Sequence, residues 1–138
     1  MKKYLLLILL MNLSCEDSKE IFRKKIEGLW AIDSIYYNGE NFKDSLYLNT
    51  LSFEKELVRI PKIEGYDYLN SAAFYLETTN NTKKLIIRSK NHFFNGVYEV
   101  SFIKNEERKL LGMKLKSSKM TIIAYKFHQD YIYDEINW

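Results

Sequence analysis

The chain has 138 residues, of which 46% are hydrophobic and 15% aromatic, with one proline, five glycines and one cysteine. This composition excludes a disordered stalk, and the single cysteine excludes an internal disulfide framework. The formal net charge of +3 comes from 21 cations interleaved with 18 anions, so the sequence predicts no strongly basic face, and nucleic acid is not expected as a partner.

The first 15 residues, MKKYLLLILLMNLSC, have the pattern of an export signal. Two lysines form a positive start, and eight apolar residues follow from Tyr4 to Met11. A helix that spans a bilayer needs roughly 20 such residues, so this stretch is too short to be a transmembrane anchor. Removal of a signal peptide of residues 1–14 leaves 19 cations and 18 anions in 124 residues, a formal charge of +1.

The end of this segment resembles the lipobox of bacterial lipoproteins, because the small residue Ser14 directly precedes Cys15 after the apolar run. The resemblance implies that Cys15 is lipidated and becomes the first residue of the mature chain. It also implies a membrane-anchored protein of the bacterial cell envelope, at the outer membrane, with its domain outside the cytoplasm. The alternative is an ordinary secretory signal that happens to be followed by a cysteine.

Residues 15–27 are predicted to contain the lipidated cysteine, a short acidic tether and a short helix. The apolar residues Ile21, Phe22 and Ile26 recur at helical spacing within Lys19 to Ile26, and Gly28 ends the pattern.

From Gly28 onward the apolar residues recur at every second position, which is typical of β-strands. Strands are predicted over Gly28 to Tyr37, Leu46 to Phe53 and Leu57 to Ile60. Asn38-Gly39 is a turn signal after the first strand. Pro61 to Asn70 has little pattern and is predicted to be a loop.

Three hairpin turns predict the registers of the later strands. The turns and a pair that each implies are Asn80-Asn81 (Leu76 with Leu85), Asn95-Gly96 (Phe93 with Tyr98) and Ser117-Ser118 (Leu115 with Met120). These registers agree on one apolar, inward face, which a slip by one residue in any of them would reverse. The inward residues are Ala72, Phe74, Leu76, Leu85, Ile87, Phe93, Tyr98, Val100, Phe102, Leu111, Met113, Leu115, Met120, Ile122 and Ala124, with Ser89 and Asn91 as polar exceptions.

About eight short antiparallel strands with one polar and one apolar face predict an all-β fold, a small up-and-down antiparallel β-barrel. A flat two-sheet sandwich is the structural alternative. A closed barrel of eight strands is either filled by its own side chains or open to one small ligand, and the sequence leaves both arrangements open.

Gly28-Leu29-Trp30 follows the predicted helix and opens the first strand, and this arrangement resembles the G-x-W signature of lipocalins (calycin-type barrels) and related small bacterial lipoproteins. The resemblance implies a lipocalin-like β-barrel domain over residues 28–138. In that family the tryptophan closes one end of the barrel against an arginine of the last strand. Here Lys126 has the matching parity, so Gly28, Trp30 and Lys126 are the expected barrel-closing residues, with Lys126 over the Trp30 ring.

The resemblance also implies that the barrel binds a small hydrophobic ligand non-covalently, with a few polar groups to orient it. The expected ligand-binding residues are the apolar wall and two polar groups: Phe74, Ile87, Tyr98, Phe102, Met113 and Ile122, with Ser89 and Asn91.

Catalysis is not expected. His92 and His128 are the only histidines, and no His, Asp or Glu cluster has metal-ligand spacing, so the sequence predicts no enzyme, no cofactor and no metal site. The alternative to ligand binding is an interaction lipoprotein with a filled barrel that binds a protein or glycan through its outer surface. Its candidate contact regions are the tip His92-Phe93-Phe94 and the aromatic tail Asp130 to Trp138, if they are exposed.

Overall fold

The structure is a computed structural model that describes residues 17–66, 70–127, 131–136 and 138. The predicted signal peptide 1–14, the lipid-attachment residue Cys15 and the second histidine, His128, lie outside the described residues. None of the helices in the described ranges has the length and apolarity that a bilayer crossing requires.

The described residues form one α-helix, eleven strands and two short 3-10 helices. Their bounds are α1 Ser18–Ile26, β1 Gly28–Tyr37, β2 Glu40–Asn41, a 3-10 helix Lys43–Ser45, β3 Leu46–Leu48, β4 Thr50–Glu54, β5 Leu57–Arg59, β6 Lys62–Ile63, β7 Ser71–Thr78, β8 Lys83–Arg88, β9 Gly96–Asn105, β10 Leu110–Lys116, β11 Met120–Lys126 and a 3-10 helix Tyr133–Glu135.

Eight strands close into an antiparallel barrel in the order β1-β4-β5-β7-β8-β9-β10-β11. The closure is made by β1 and β11, which pair from Trp30 opposite Lys126 to Tyr37 opposite Met120. A register shift between Ile32 and Ser34 bends β1 at this seam, as a bulge does in a closing sheet. The prediction of an all-β, up-and-down barrel of eight strands is confirmed, and the flat sandwich is excluded.

The two ends of the barrel differ. At one end, here called the helix end, α1 lies with the short turns that follow β4, β7 and β9. At the other, here called the loop end, the longer connections after β1, β5 and β8 and the turn after β10 come together. The predicted short helix is confirmed over Ser18–Ile26: the Asp17 side chain accepts a hydrogen bond from the Lys19 amide (3.2 Å), and Phe22 and Ile26 are buried.

The inward face is built as predicted, although two of its three registers are different. Fourteen of the fifteen expected residues are buried, and Phe102 is half-buried. The pairing of β7 with β8 is confirmed, with Leu76 opposite Leu85 and Phe74 opposite Ile87.

The predicted pairing of Phe93 with Tyr98 is wrong, because Tyr98 lies opposite Leu85 and Gly96 opposite Ile87. Residues 89–95 form a loop in place of a hairpin arm. Two side-chain acceptors hold this loop: Asn91 Oδ1 receives the Phe93 amide (2.8 Å), and Asn95 Oδ1 receives the Ser89 amide (3.2 Å). The partner of Tyr98 is therefore Leu85 and not Phe93, a shift of eight residues along the chain. Because eight is an even number, the same side chains still point inward.

The predicted pairing of Leu115 with Met120 is also wrong, because Leu115 lies opposite Ile122. The turn lies one residue later in the chain, with Ser118 and Lys119 at its tip. Ser117 closes it: its backbone N–H donates to the Met120 carbonyl (2.8 Å), and its hydroxyl oxygen accepts the Met120 amide (3.0 Å). This shift of two residues again preserves the inward face.

The predicted single strand Leu46 to Phe53 is wrong, because it divides at Asn49 into β3 and β4. The Asn49 carbonyl accepts a hydrogen bond from the Ile32 amide (2.9 Å). This bond fixes the chain to β1 at the point where it passes from the loop end into the barrel. β3 pairs with β6 in a separate two-stranded sheet. The predicted loop Pro61 to Asn70 therefore contains a short strand, β6, that covers part of the loop end.

Candidate functional site

The three expected barrel-closing residues, Gly28, Trp30 and Lys126, lie together at the helix end. Trp30 is fully buried, and its indole N–H donates to the Ile26 carbonyl (2.7 Å). The Lys126 ammonium lies 5.5 Å from the centre of the Trp30 ring and donates to the Lys25 carbonyl (3.2 Å). Gly28 has φ of 112°, a conformation that favours glycine, at the junction between α1 and β1. Helix, tryptophan and lysine thus form one hydrogen-bonded seal.

The interior of the barrel is densely filled where the ligand wall was expected. Ile87, Tyr98, Met113 and Ile122 all have 0% of their surface exposed. A water-sized void beside any of these four side chains would leave part of its surface accessible to water, so no such void touches them. Phe74 is buried too, and its ring packs edge-to-face on Phe53 with 5.3 Å between centroids.

The phenol of Tyr98 is the main polar group described in this interior. Its hydroxyl donates to the Phe94 carbonyl (2.8 Å) and lies 3.8 Å from the Met120 sulfur. Burial raises the pKa of Tyr98, so the phenol stays neutral throughout the physiological range. The Tyr98 hydroxyl thus holds the 89–95 loop through its hydrogen bond to the Phe94 carbonyl.

The two expected polar handles lie in the 89–95 loop and not on an inward strand position. Ser89 Oγ accepts the Asn91 amide (3.0 Å), and Asn91 Oδ1 accepts the Phe93 amide (2.8 Å). Phe102, the remaining wall residue, packs on Phe22 of α1 at the helix end (6.1 Å between centroids). The structure therefore brings five of the eight expected ligand residues together: Phe74, Ile87, Tyr98, Met113 and Ile122.

The tip at the loop end is buried, except for one residue. Phe93 and Phe94 lie in the core, and only His92 is exposed. The Phe93 ring is enclosed by Tyr37 at 4.9 Å, Tyr66 at 5.2 Å and His92 at 4.1 Å between centroids. The tip is thus a packing element that holds the loop end together, and the exposure that a contact region there would need is limited to His92.

The tail folds back on the helix end. The Tyr131 hydroxyl accepts the Leu111 amide (2.9 Å), and Tyr133 is buried. Trp138 lies between two ammonium groups, with Lys25 at 5.6 Å and Lys104 at 5.4 Å from its ring centre. Burial lowers the pKa of Lys25, and the nearby charge of Lys83 adds to the effect. The tail aromatics therefore do not lie together on one open surface, which was the condition for a contact region in the tail.

The outer wall carries an exposed apolar surface that sequence reasoning missed. Tyr75 pairs with Ile86, and Ile86 pairs with Val97, so the three side chains form one row across β7, β8 and β9. Leu57 on β5 continues the surface, because it lies opposite Ala73, two residues before Tyr75 on the same face of β7. Tyr75 is 56% exposed, Leu57 55% and Val97 49%. We call the surface formed by Leu57, Ala73, Tyr75, Ile86 and Val97 the wall patch.

A signal for the wall patch was present in the sequence. Leu85-Ile86-Ile87 is an unbroken apolar run, in which the middle residue must point away from the face that its neighbours share. In a barrel whose inside is already apolar, that middle residue lies on the outer wall, where Ile86 is half-buried.

The described residues contain no group of three or more His, Cys, Asp or Glu side chains arranged to hold a metal ion. No protein-family model matches the chain, and searches of characterised proteins and of solved structures give no match either.

Proposed function

We propose that this chain is an extracytoplasmic, lipocalin-like lipoprotein of the bacterial cell envelope whose filled β-barrel acts as a scaffold and binds a protein or glycan partner through its outer surface. The lipid on Cys15 is its membrane anchor. The barrel does no chemistry of its own in this proposal, which involves neither a cofactor nor a metal.

One contrast carries the proposal. Four of the six apolar side chains expected to line a ligand cavity (Ile87, Tyr98, Met113 and Ile122) have no accessible surface, whereas Tyr75, Leu57 and Val97 expose about half of theirs on the outer wall. A ligand in the interior would first have to displace Tyr98 from its hydrogen bond to Phe94 and open a space that close packing now fills. A partner on the wall patch would only have to displace water from an apolar surface.

The lipocalin-like assignment is supported by the closed eight-stranded barrel, the preceding helix and the seal of Trp30 with Lys126. The anchor is supported by the sequence of the first 15 residues. The helix α1 begins three residues after Cys15, a distance of about 10 Å at most. The helix end of the barrel would therefore lie close to the membrane, with the outer wall accessible above it.

The test is native mass spectrometry of the full lipidated chain, extracted with mild detergent from its own host. We expect the mass of the lipidated chain with an empty interior. A small apolar molecule that co-purifies would support the alternative function, ligand binding in the barrel, if the molecule is lost from Met113→Phe but kept by Tyr47→Ala. Met113 is buried in the interior, and Tyr47 is exposed on β3, so the pair separates specific binding from surface adsorption.

A further inference from the structure

The wall patch has different charges along its two borders. On the side of the helix end, one row of outward residues crosses four strands, because Glu77 pairs with Lys84, Lys84 with Glu99, and Glu99 with Lys116. Opposite charges alternate along this row and compensate one another. This border therefore carries no net charge.

The border on the side of the loop end is cationic. Arg88 lies opposite Ala73, and Arg59 lies opposite Ser71, so both guanidinium groups flank β7 just beyond the apolar row. Both residues are exposed, and no ion pair joins either of them to a carboxylate of the described residues. Two neighbouring arginines without an acidic partner there can accept carboxylates from another molecule.

A shallow hollow of about 560 Å³ adjoins the patch at its β5 edge. It is open to solvent and is lined by Glu54, Lys55, Glu56 and Leu57. The Arg23 guanidinium donates to the Lys55 carbonyl (2.7 Å) and so fixes this turn against α1. Of its two glutamates, Glu54 lies opposite Leu57 on β4, on the side away from β7, and Glu56 precedes Leu57 in the turn at the helix end. A partner's carboxylates are thus directed toward the arginines and away from the hollow.

We propose that the wall patch is the docking surface for a protein partner whose contact segment combines apolar side chains with Asp or Glu carboxylates. This inference rests on the proposed function and specifies its surface and partner chemistry. The apolar side chains lie on Tyr75, Ile86 and Val97, and the carboxylates pair with Arg59 and Arg88. Tyrosine and arginine are the residue types that most often dominate binding energy at protein interfaces.

A second copy of this chain fits the wall patch less well. Stacking the patch on itself about a two-fold axis along the strands brings Lys84 onto Lys84 and Glu77 onto Glu99 of the other copy. If the two-fold axis instead runs across the strands, Lys84 of one copy faces Arg88 of the other. Both arrangements place like charges together, whereas an acidic partner has neither conflict.

The test places photoreactive benzoylphenylalanine at Tyr75 in the full-length chain, in cells of its host. Control chains carry the same group at Tyr47 or at Tyr66, both exposed near the loop end. We expect a protein adduct from position 75, linked at a site with neighbouring Asp or Glu residues. The double variant Arg59→Glu/Arg88→Glu should lower its yield by roughly tenfold or more. The matched control Lys43→Glu/Lys119→Glu makes the same charge change at exposed sites away from the patch and should leave the yield unchanged.

Several results would overturn the docking surface. These are an adduct with a glycan, a lipid or a second copy of the chain, or a yield that responds equally to both double variants. Protein or glycan adducts from position 47 or 66, with none from position 75, would also reject the wall patch while leaving the proposed outer-surface function in place. Absence of adducts at all three positions would reject both.

Discussion

Trp30 combines three interactions at the closed end of the barrel: burial, a hydrogen bond to Ile26 and the ammonium group of Lys126 above its ring. We expect Trp30→Ala to lower the free energy of unfolding by about 3–5 kcal/mol, because it leaves a cavity and removes the acceptor for the cation. Urea denaturation followed by circular dichroism measures this change. Tyr47→Ala, at a side chain that is 81% exposed, is the control and should stay within about 0.5 kcal/mol of the parent. A near-neutral Trp30→Ala would contradict the closing role.

Gly112 shows why a residue without a side chain is needed on an outer strand position. A Cβ atom built there would lie 2.8 Å from the Tyr125 ring and 2.9 Å from Ile103 Cβ, the residue opposite it on β9. The Tyr125 ring thus crosses the glycine to reach the next strand. We expect Gly112→Ala to cost about 1–3 kcal/mol through overpacking.

The matched variant for Gly112 is the double change Gly112→Ala/Tyr125→Ala. Since this change removes the ring that the new methyl group would meet, part of the loss should be recovered relative to the sum of the two single changes. Strictly additive effects in urea denaturation would show that the ring and the glycine are not coupled.

At the scale of elements, the two Asn-Gly pairs behave differently although their sequences are the same. Asn38 and Gly39 have φ of 50° and 84°, as a two-residue hairpin turn of type I′ requires. Asn95 has no such positive φ and uses its side chain to hold the Ser89 amide (3.2 Å). The dipeptide alone therefore does not decide the turn. The competing loop is favoured by Asn91, which caps the Phe93 amide, and by Phe93 and Phe94, which are buried.

This account of the 89–95 loop gives a prediction for Asn91→Ala. The buried Phe93 amide would lose its acceptor, so we expect a loss of about 1–3 kcal/mol of stability. Hydrogen exchange should show faster exchange confined to the loop and the start of β9. The control is Asn81→Ala, at an exposed residue of the β7–β8 turn. Equal effects of the two changes, or no local change in exchange, would contradict a loop-holding role for Asn91.

At the scale of the whole molecule, the alternation of apolar residues predicted the barrel and nearly all of its inward face. It did not predict two of the registers, because an alternating pattern only specifies which face a residue belongs to. The observed shifts, by eight residues at Tyr98 and by two at Leu115, are even and leave that face unchanged. The wall patch could not be separated from the core by composition, since Ile86 becomes an outer residue only once its neighbours are placed inside. The filled interior depends on how side-chain volumes fit together, which no periodicity reports.

The proposed membrane anchor is the lipid on Cys15, which lies outside the described residues. We expect Cys15→Ala to release the protein from the membrane fraction, because the lipid supplies the binding energy, about 0.8 kcal/mol for each buried CH₂ group. The measurement is membrane fractionation of cells with immunoblotting, together with incorporation of a radiolabelled fatty acid. Tyr47→Ala keeps the cysteine and should remain membrane-bound and labelled. If Cys15→Ala stays with the membranes, or the parent takes up no label, the anchor proposal fails. The wall patch could then still be tested on a free, secreted barrel.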